Sequence, residues 1–382
     1  MRFEIGRARG DLSAASLLGG IARQFGEGSG RRGALRRYND PTMAKRYDET
    51  SGSHDRGSIL VFAVYDAFLK IFERRIQDLL RLATGGSGVL APGALHPDLV
   101  NRLTIEASNT ARHMLHMCIR ALDYCPAVDI TFGEYLRALI TADIDVMPED
   151  RLGYRVALME AFRHRGILPR DVRTVSEESL TWNTFLDPKP GWLGRVLEKV
   201  DLAWNREPSR SEQFELDEAN RWALWRRLNQ EFAKDPELCA QFGLTPGLPR
   251  YDENGHPRAS RNRSETTFEV FSVRPTRRNL PDGSVRTELV AVIHQRRPVL
   301  LDPNDPTGEW FWFRGGATLL IDPCKGKESV RYSLIKNTNS KTREERQRKT
   351  ALGQMQSPLR SLYLRDERAG EPFALVHGIG GG

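Results

Sequence analysis

The residues best placed for chemistry are Ser53-His54-Asp55-Arg56-Gly57, a polar segment set against the start of a long apolar stretch. A histidine where a polar loop meets a helix N-terminus can donate a hydrogen bond into a cleft. Taken alone, the same pattern also describes an ordinary surface-loop histidine. A second pair, His113 and His116, lies three residues apart, so both face one side of a helix and could touch a metal. No third ligand follows at a sensible spacing, and Met114, Leu115 and Met117 point to a partly buried helix, so a structural role is expected there. None of the eight histidines is followed by Glu, so there is no H-E-x-x-H zinc motif. Cys118, Cys125, Cys239 and Cys324 form no CxxC pair and read as free thiols, with Cys118 and Cys125 close enough to the histidine pair for an adventitious metal site. There is no Gly-x-Ser-x-Gly elbow. Gly315-Gly316 lacks the Lys-Ser/Thr of a phosphate loop and reads as a turn or bulge before a strand.

The elements that must position these residues are helical first and extended later, an α+β chain. Asp11-Leu12-Ser13 can open a helix that stops at Gly26, with Leu17, Leu18, Ile21 and Phe25 apolar along it. Gly57 to Ala83 is apolar with a helical period and ends at Thr84-Gly85-Gly86. His96-Pro97-Asp98 opens a second long helix ending near Asp123. Thr131 with Glu134 is a capping box for a third helix reaching Asp143. Gly153 to Arg165, stopped at Gly166, is a fourth. Five regions follow from this: 1–52, a helix and loop; 53–168, an all-α lobe; 169–263, a Trp-rich segment and linker; 264–337, a small antiparallel sheet; and 338–382, a charged, partly flexible tail. Within them, Leu193 to Asn205 and Asp217 to Phe232 read as helices, and Gly243 to Arg263 as a linker or long loop. Thr266 to Val273 and Val285 to His294 form a hairpin around Pro281-Asp282-Gly283. Trp310 to Phe313, Ala317 to Ile321 and Val330 to Ile335 add strands, and Lys341 to Lys349 reads as a solvated helix face.

The series from Ser53 to Ile167 resembles the C-terminal helical lobe of the thermolysin-like zinc metallopeptidases. His54-Asp55-Arg56-Gly57-Ser58-Ile59 is similar to the segment that opens that lobe's long helix. Thr131-Phe132 with Ala142-Asp143 is similar to its third helix, and Tyr154 to Phe162 with Arg165-Gly166-Ile167 to its last. The resemblance implies that His54 hydrogen-bonds the transition state of peptide hydrolysis. It implies a carboxylate five residues earlier that orients the ring; Glu49 stands there, with Asp48 and Asp55 as substitutes. Arg56 stands where the family has Asn. The family's zinc ligands precede this lobe, so the resemblance implies zinc and a peptide substrate for a complete protein. For this chain it implies no metal, no hydrolysis of its own, and a missing N-terminal catalytic segment as packing partner, to which residues 1–52 would connect.

Composition narrows the alternatives. With 39% hydrophobic and 28% charged residues among 382, the chain can build a folded core. Its longest apolar run, Ile59 to Phe72, is broken by Asp66 and Lys70 and falls short of the roughly 18 residues of a membrane span, so no membrane partner is expected. Met1-Arg2-Phe3-Glu4 has no apolar signal core, which places the chain in the cytoplasm if that start is native. The balance is basic, 57 Lys+Arg against 50 Asp+Glu. Arg31 to Arg37, Arg274 to Arg278 and Lys341 to Lys349 are the stretches a nucleic acid would use. They lack regular aromatic interleaving, so an ordinary basic surface is the reading adopted. Two alternatives to the peptidase remain: a binding or scaffold protein that kept the lobe without catalysis, and a basic nucleic-acid binder.

Overall fold

A computed structural model describes residues 46–50, 53–184, 209–252, 254–258, 266–280, 283–323 and 330–353. The expected helices at Asp11 to Phe25 and Leu193 to Asn205, the Arg31 to Arg37 stretch and the C-terminal glycines lie outside the described residues. The fold is α+β, with helices first and a four-stranded antiparallel sheet after them. The described residues fall into two compact units, 46–122 with 131–181, and 123–130 with 182–353. Among them no helix is long and apolar enough to cross a membrane.

In the first unit, α1 (Ser53–Ala83) buries Ile59, Phe62, Ala63, Ala67, Ile71, Phe72 and Ile76, spaced three and four apart along one stripe. It starts four residues before the apolar period does, so His54 belongs to its first turn. Gly85 and Gly86 stop it with positive φ, and the N–H of Gly86 reaches back to the carbonyl of Arg81. Helix α2 (Pro97–Ala121) has Pro97 in its first turn and His96 as its cap, the ring accepting from the N–H of Asp98. Its buried positions are Leu103, Ala107, Thr110, Met114, Met117 and Ala121. Leu103 and Ala107 pack against Phe72 and Ile76 of α1. The Thr131–Glu134 capping box opens α3 (Phe132–Ile144), whose small residues are almost all buried. Asp150 caps α4 (Tyr154–His164), accepting from the N–H groups of Tyr154 and Arg155. A short α5 (Glu177–Leu180) closes the unit. The span from Ser53 to Ile167 contains no strand.

The second unit joins α6 (Arg210–Lys234) and α7 (Pro236–Ala240) to strands β1 (Glu269–Asn279), β2 (Val285–Leu300), β3 (Trp310–Ile321) and β4 (Val330–Lys336), in that spatial order, with α8 (Lys341–Gly353) last. Alternation along β2 sends Leu289, Ala291 and Ile293 to one face. There they pack with Ala317, Leu319 and Ile321 of β3 and with Leu224, Leu228 and Phe232 of α6. Trp225, in the Trp-rich stretch, packs against this core, donating to the carbonyl of Phe268 and stacking on exposed Trp222.

Three expectations are corrected here. Gly315-Gly316 is no turn; it lies inside one continuous strand, β3. A Cβ on Gly315 would come 2.5 Å from the carbonyl oxygen of Lys336, and one on Gly316 would collide with the carbonyl of Ile293, so the glycines let three strands approach. Nor is the charge run at Lys341 simply solvated. Arg343 is buried, donating to the carbonyls of Asn337 and Arg314, with its guanidinium 4.9 Å from the Phe313 ring centroid. Glu344 pairs with Arg297 and Arg348. The run from Gly243 to Arg263, expected to be a linker, contains a small hairpin seated on the sheet.

Candidate functional site

The backbone places His54 in the first turn of α1, directly after a 3-10 turn, Tyr47–Glu49. The side chain of His54 lies outside the described residues. That turn is fixed from several sides. The N–H of Tyr47 donates to the carbonyl of Arg165, just past the end of α4, at 2.8 Å, and its ring meets Phe132 edge-on at 5.5 Å. Buried Thr50 donates its hydroxyl to the carbonyl of Arg46. Arg56 donates Nε to the carbonyl of Thr50 at 2.7 Å and lies over the Tyr47 ring. Arg56 thus clamps the turn to α1.

Of the three candidate carboxylates, Glu49 and Asp55 are exposed. Asp48, also exposed, accepts from Arg46 Nε at 3.2 Å. Its approach is allowed by Gly166, whose φ is +71° and where a Cβ would sit 2.6 Å from an Asp48 oxygen. The carboxylates before His54 and the carboxyl end of α4 are therefore brought together, although over a hundred residues separate them in sequence.

The other histidine candidate has the structural role expected of it. His113 stacks on Tyr154 at 4.2 Å and its Nε2 lies 3.4 Å from Asp143. Asp143, 2% exposed, is the centre of a buried network. Arg155 donates to it at 2.9 Å, to the carbonyls of Met147 and Pro148, and to Glu177. His116 is exposed. Among the described residues no group of three His, Cys, Asp or Glu is placed to hold a metal. Cys118, Cys125 and Cys239 form no disulfide among the described residues, and burial pushes the thiol of Cys239 up to about 11.

The structure adds a cleft that the motifs did not indicate. It lies in the second unit, has a volume of about 190 Å3, and is lined by Arg250, Tyr251, Arg258, Glu269, His294 and Arg296 among others. Its wall is the hairpin from Arg250 to Arg258. Asp252 shapes the hairpin turn, accepting from the N–H groups of Asn254 and His256 at 2.9 Å. The His256 N–H is also the main reason its carboxyl is held below the usual range. Gly255, with φ of +78°, lies against Trp310 and Pro298. The floor is β2. His294 is 8% exposed, and its Nε2 lies 3.0 Å from a Glu269 oxygen but makes no aligned hydrogen bond. Glu269, 55% exposed, is held below the ordinary carboxylate range first by this contact with His294, against burial, with Arg296 and Arg250 adding. Burial raises the phenol of Tyr251, and the charge of Arg297 opposes it. Buried Gln295, also in the lining, ties the sheet to Thr245, Thr267 and Thr338. Two signals for this cleft were present in the chain: polar His294-Gln295 ending the apolar run of β2, and a turn at Asn254-Gly255 inside the supposed linker.

No known protein family, characterised protein or solved structure matches the chain.

Proposed function

We propose that the first unit is the helical lobe of a thermolysin-like peptidase and that His54 is its hydrogen-bond donor to the oxyanion of a tetrahedral intermediate. The observation that carries this reading is the placement of His54. It sits in the first turn of a 31-residue helix, behind a turn that bears Asp48 and Glu49 and is bonded to the end of α4. A helix's first turn offers free N–H groups and positive potential to a developing anion, and a histidine there adds a donor of the same sign. Glu49, Asp48 and Asp55 supply the carboxylates from which the partner of the ring is drawn.

The zinc of that family does not fit this chain. The sequence has no H-E-x-x-H, and no candidate donor set is found among the described residues. Hydrolysis thus requires groups beyond those seen here, and this chain's own contribution is peptide positioning and the His54 donor. The same lack of ligands favours a second reading, a peptide-binding scaffold on the peptidase lobe.

One experiment separates them. The native gene product, purified from its own cell by a carboxyl-terminal tag with whatever accompanies it, is assayed for zinc and for peptide hydrolysis. Stoichiometric zinc with hydrolysis is the outcome expected of the peptidase. Peptide binding without either supports the scaffold, and neither binding nor hydrolysis refutes both.

A further inference from the structure

Helix α2 carries apolar residues on two faces, and the first unit buries only one of them. The inner stripe, Leu103, Ala107, Thr110, Met114, Met117 and Ala121, is buried. A second apolar line, Ile105, Leu115, Ile119 and Leu122, is between 48% and 60% exposed. With roughly 3.6 residues per turn, it is centred about 150° round the helix from the first. A surface helix ordinarily turns charged and polar residues outward there. Leu122, the helix cap, keeps right-handed helical dihedrals, so it prolongs the line. Ile105, Arg112 and Ile119 stand one heptad apart, as do Ser108, Leu115 and Leu122. Interleaved, they make the alternating steps of a coiled-coil seam, about 25 Å long. On one flank Thr104, Ala111 and Cys118 are small and half-buried, which lets a second helix come close. The charge along the line has one sign. Arg102 and Arg112 are exposed, and neither has an ion-pair or hydrogen-bond partner among the described residues. Glu106, the sole carboxylate between Asp98 and Asp123, pairs with Arg75 of α1.

We propose that this face docks an acidic amphipathic helix of a partner protein, its apolar edge on Ile105, Leu115, Ile119 and Leu122 and a carboxylate over Arg112. Charge selects the occupant. Covering the seam takes Arg112 out of water, and a buried guanidinium needs a carboxylate. A second copy of α2 supplies none. In a parallel pair Arg112 would meet Arg112, and in an antiparallel pair centred on the seam it would meet Leu115. A partner helix with Glu or Asp facing Arg102 and Arg112 satisfies both arginines. Its apolar anchors follow the three- and four-residue spacing by which helices are read in grooves, and charges beside the seam set partner choice.

The test titrates the full chain into two fluorescent synthetic helices of about three heptads and follows anisotropy. The helices share a leucine seam and differ only in carrying glutamate or lysine at the flanking positions and at one seam position. The expected result is saturable binding of one glutamate helix per chain, with the lysine helix weaker by about tenfold or more. The Leu115→Gln, Ile119→Gln double variant should lose about tenfold or more in affinity, and Arg112→Glu should invert the preference between the two helices. All three positions are exposed, and an unchanged circular dichroism spectrum certifies each fold. Absence of saturable binding, equal binding of the two helices, or a double variant that binds like the parent would each overturn the site. So would a chain dimer in analytical ultracentrifugation, or flotation with phosphatidylserine vesicles, that the double variant abolishes, because the occupant would then be a second copy or a membrane surface.

Discussion

Each unit is built around one buried carboxylate held by arginine, and the two solve the same problem over very different distances. In the helical unit Asp143 pairs with Arg155, 12 residues away, on the next helix. In the sheet unit Glu288, with no exposed surface, lies between Arg278 and Arg331, and Arg278 also reaches Asp123 across 155 residues of sequence. The first network follows from helix order alone. The second exists only once β1, β2, β3 and β4 have paired in order and the 123–130 segment has docked on them. A local network fixes how two neighbouring helices meet; a long-range one locks a topology.

Removing either carboxylate breaks a buried ion pair, a loss of up to about 3–5 kcal/mol, with Glu177 and Asp123 left as the remaining partners of Arg155 and Arg278. Urea denaturation should show this loss for Asp143→Ala by far-ultraviolet circular dichroism and for Glu288→Ala by tryptophan fluorescence. All seven tryptophans lie at or beyond residue 182, so fluorescence reads the sheet unit. The comparison sharpens with the double variant Asp143→Leu, Arg155→Met. An apolar replacement of the whole pair is often neutral or better, so it should recover most of the loss. A cost below about 1 kcal/mol for either single variant would show that the networks are decoration.

The next largest effects concern glycines at close approaches. Gly133 lies inside α3, where alanine would ordinarily be favoured by about 0.5–1 kcal/mol. Here a Cβ would sit 2.6 Å from Cα of Pro169, so Gly133→Ala should destabilise by about 1–3 kcal/mol, an overpacking cost. Gly316→Ala in β3 should cost at least about 1–3 kcal/mol, because its φ of +150° is a glycine conformation and its Cβ meets β2. A stabilised Gly133→Ala variant would place α3 away from Pro169.

A smaller effect in the sheet unit depends on pH. Burial alone would raise the carboxyl of Glu344, but Arg297 and Arg348 together hold it below its ordinary value, and Glu269 is lowered by His294. A carboxyl depressed in the folded state adds stability above its unfolded value, about 4.3, and loses it as pH falls through the folded value. The fluorescence-detected transition should therefore weaken below about pH 4.3, and Glu344→Gln should reduce that dependence. An unchanged acid limb in the variant would contradict the pairing.

How much of this was legible in the sequence follows the same division. The Thr131–Glu134 capping box, the glycine stops at Gly85 and Gly166, and the apolar stripe from Ile59 to Ile76 are local signals, and the helices appear where they point. The start of α1 was misplaced by four residues because Ser53 to Arg56 are polar and add nothing to a hydrophobic period. In the sheet unit the strands were visible but their fusion was not. Gly315-Gly316 has the composition of a break, and only the backbones of β2 and β4 beside it explain why glycine is needed inside a strand. The cleft left only two faint local marks, His294-Gln295 and Asn254-Gly255, because Arg250, Glu269 and His294 meet only through strand pairing and a hairpin hidden in a polar stretch. Arg56 clamping Tyr47 and Thr50 could not be anticipated from the pattern in which it replaces an asparagine.

The most direct test of the central claim is the effect of His54→Ala on kcat/KM for peptide hydrolysis by the native gene product. Loss of one oxyanion donor typically lowers the rate by about 10²- to 10³-fold, and that is the loss predicted for His54→Ala, with Glu49→Gln smaller. A fall of less than about threefold, far short of that donor effect, in an active and folded variant would contradict the role assigned to His54.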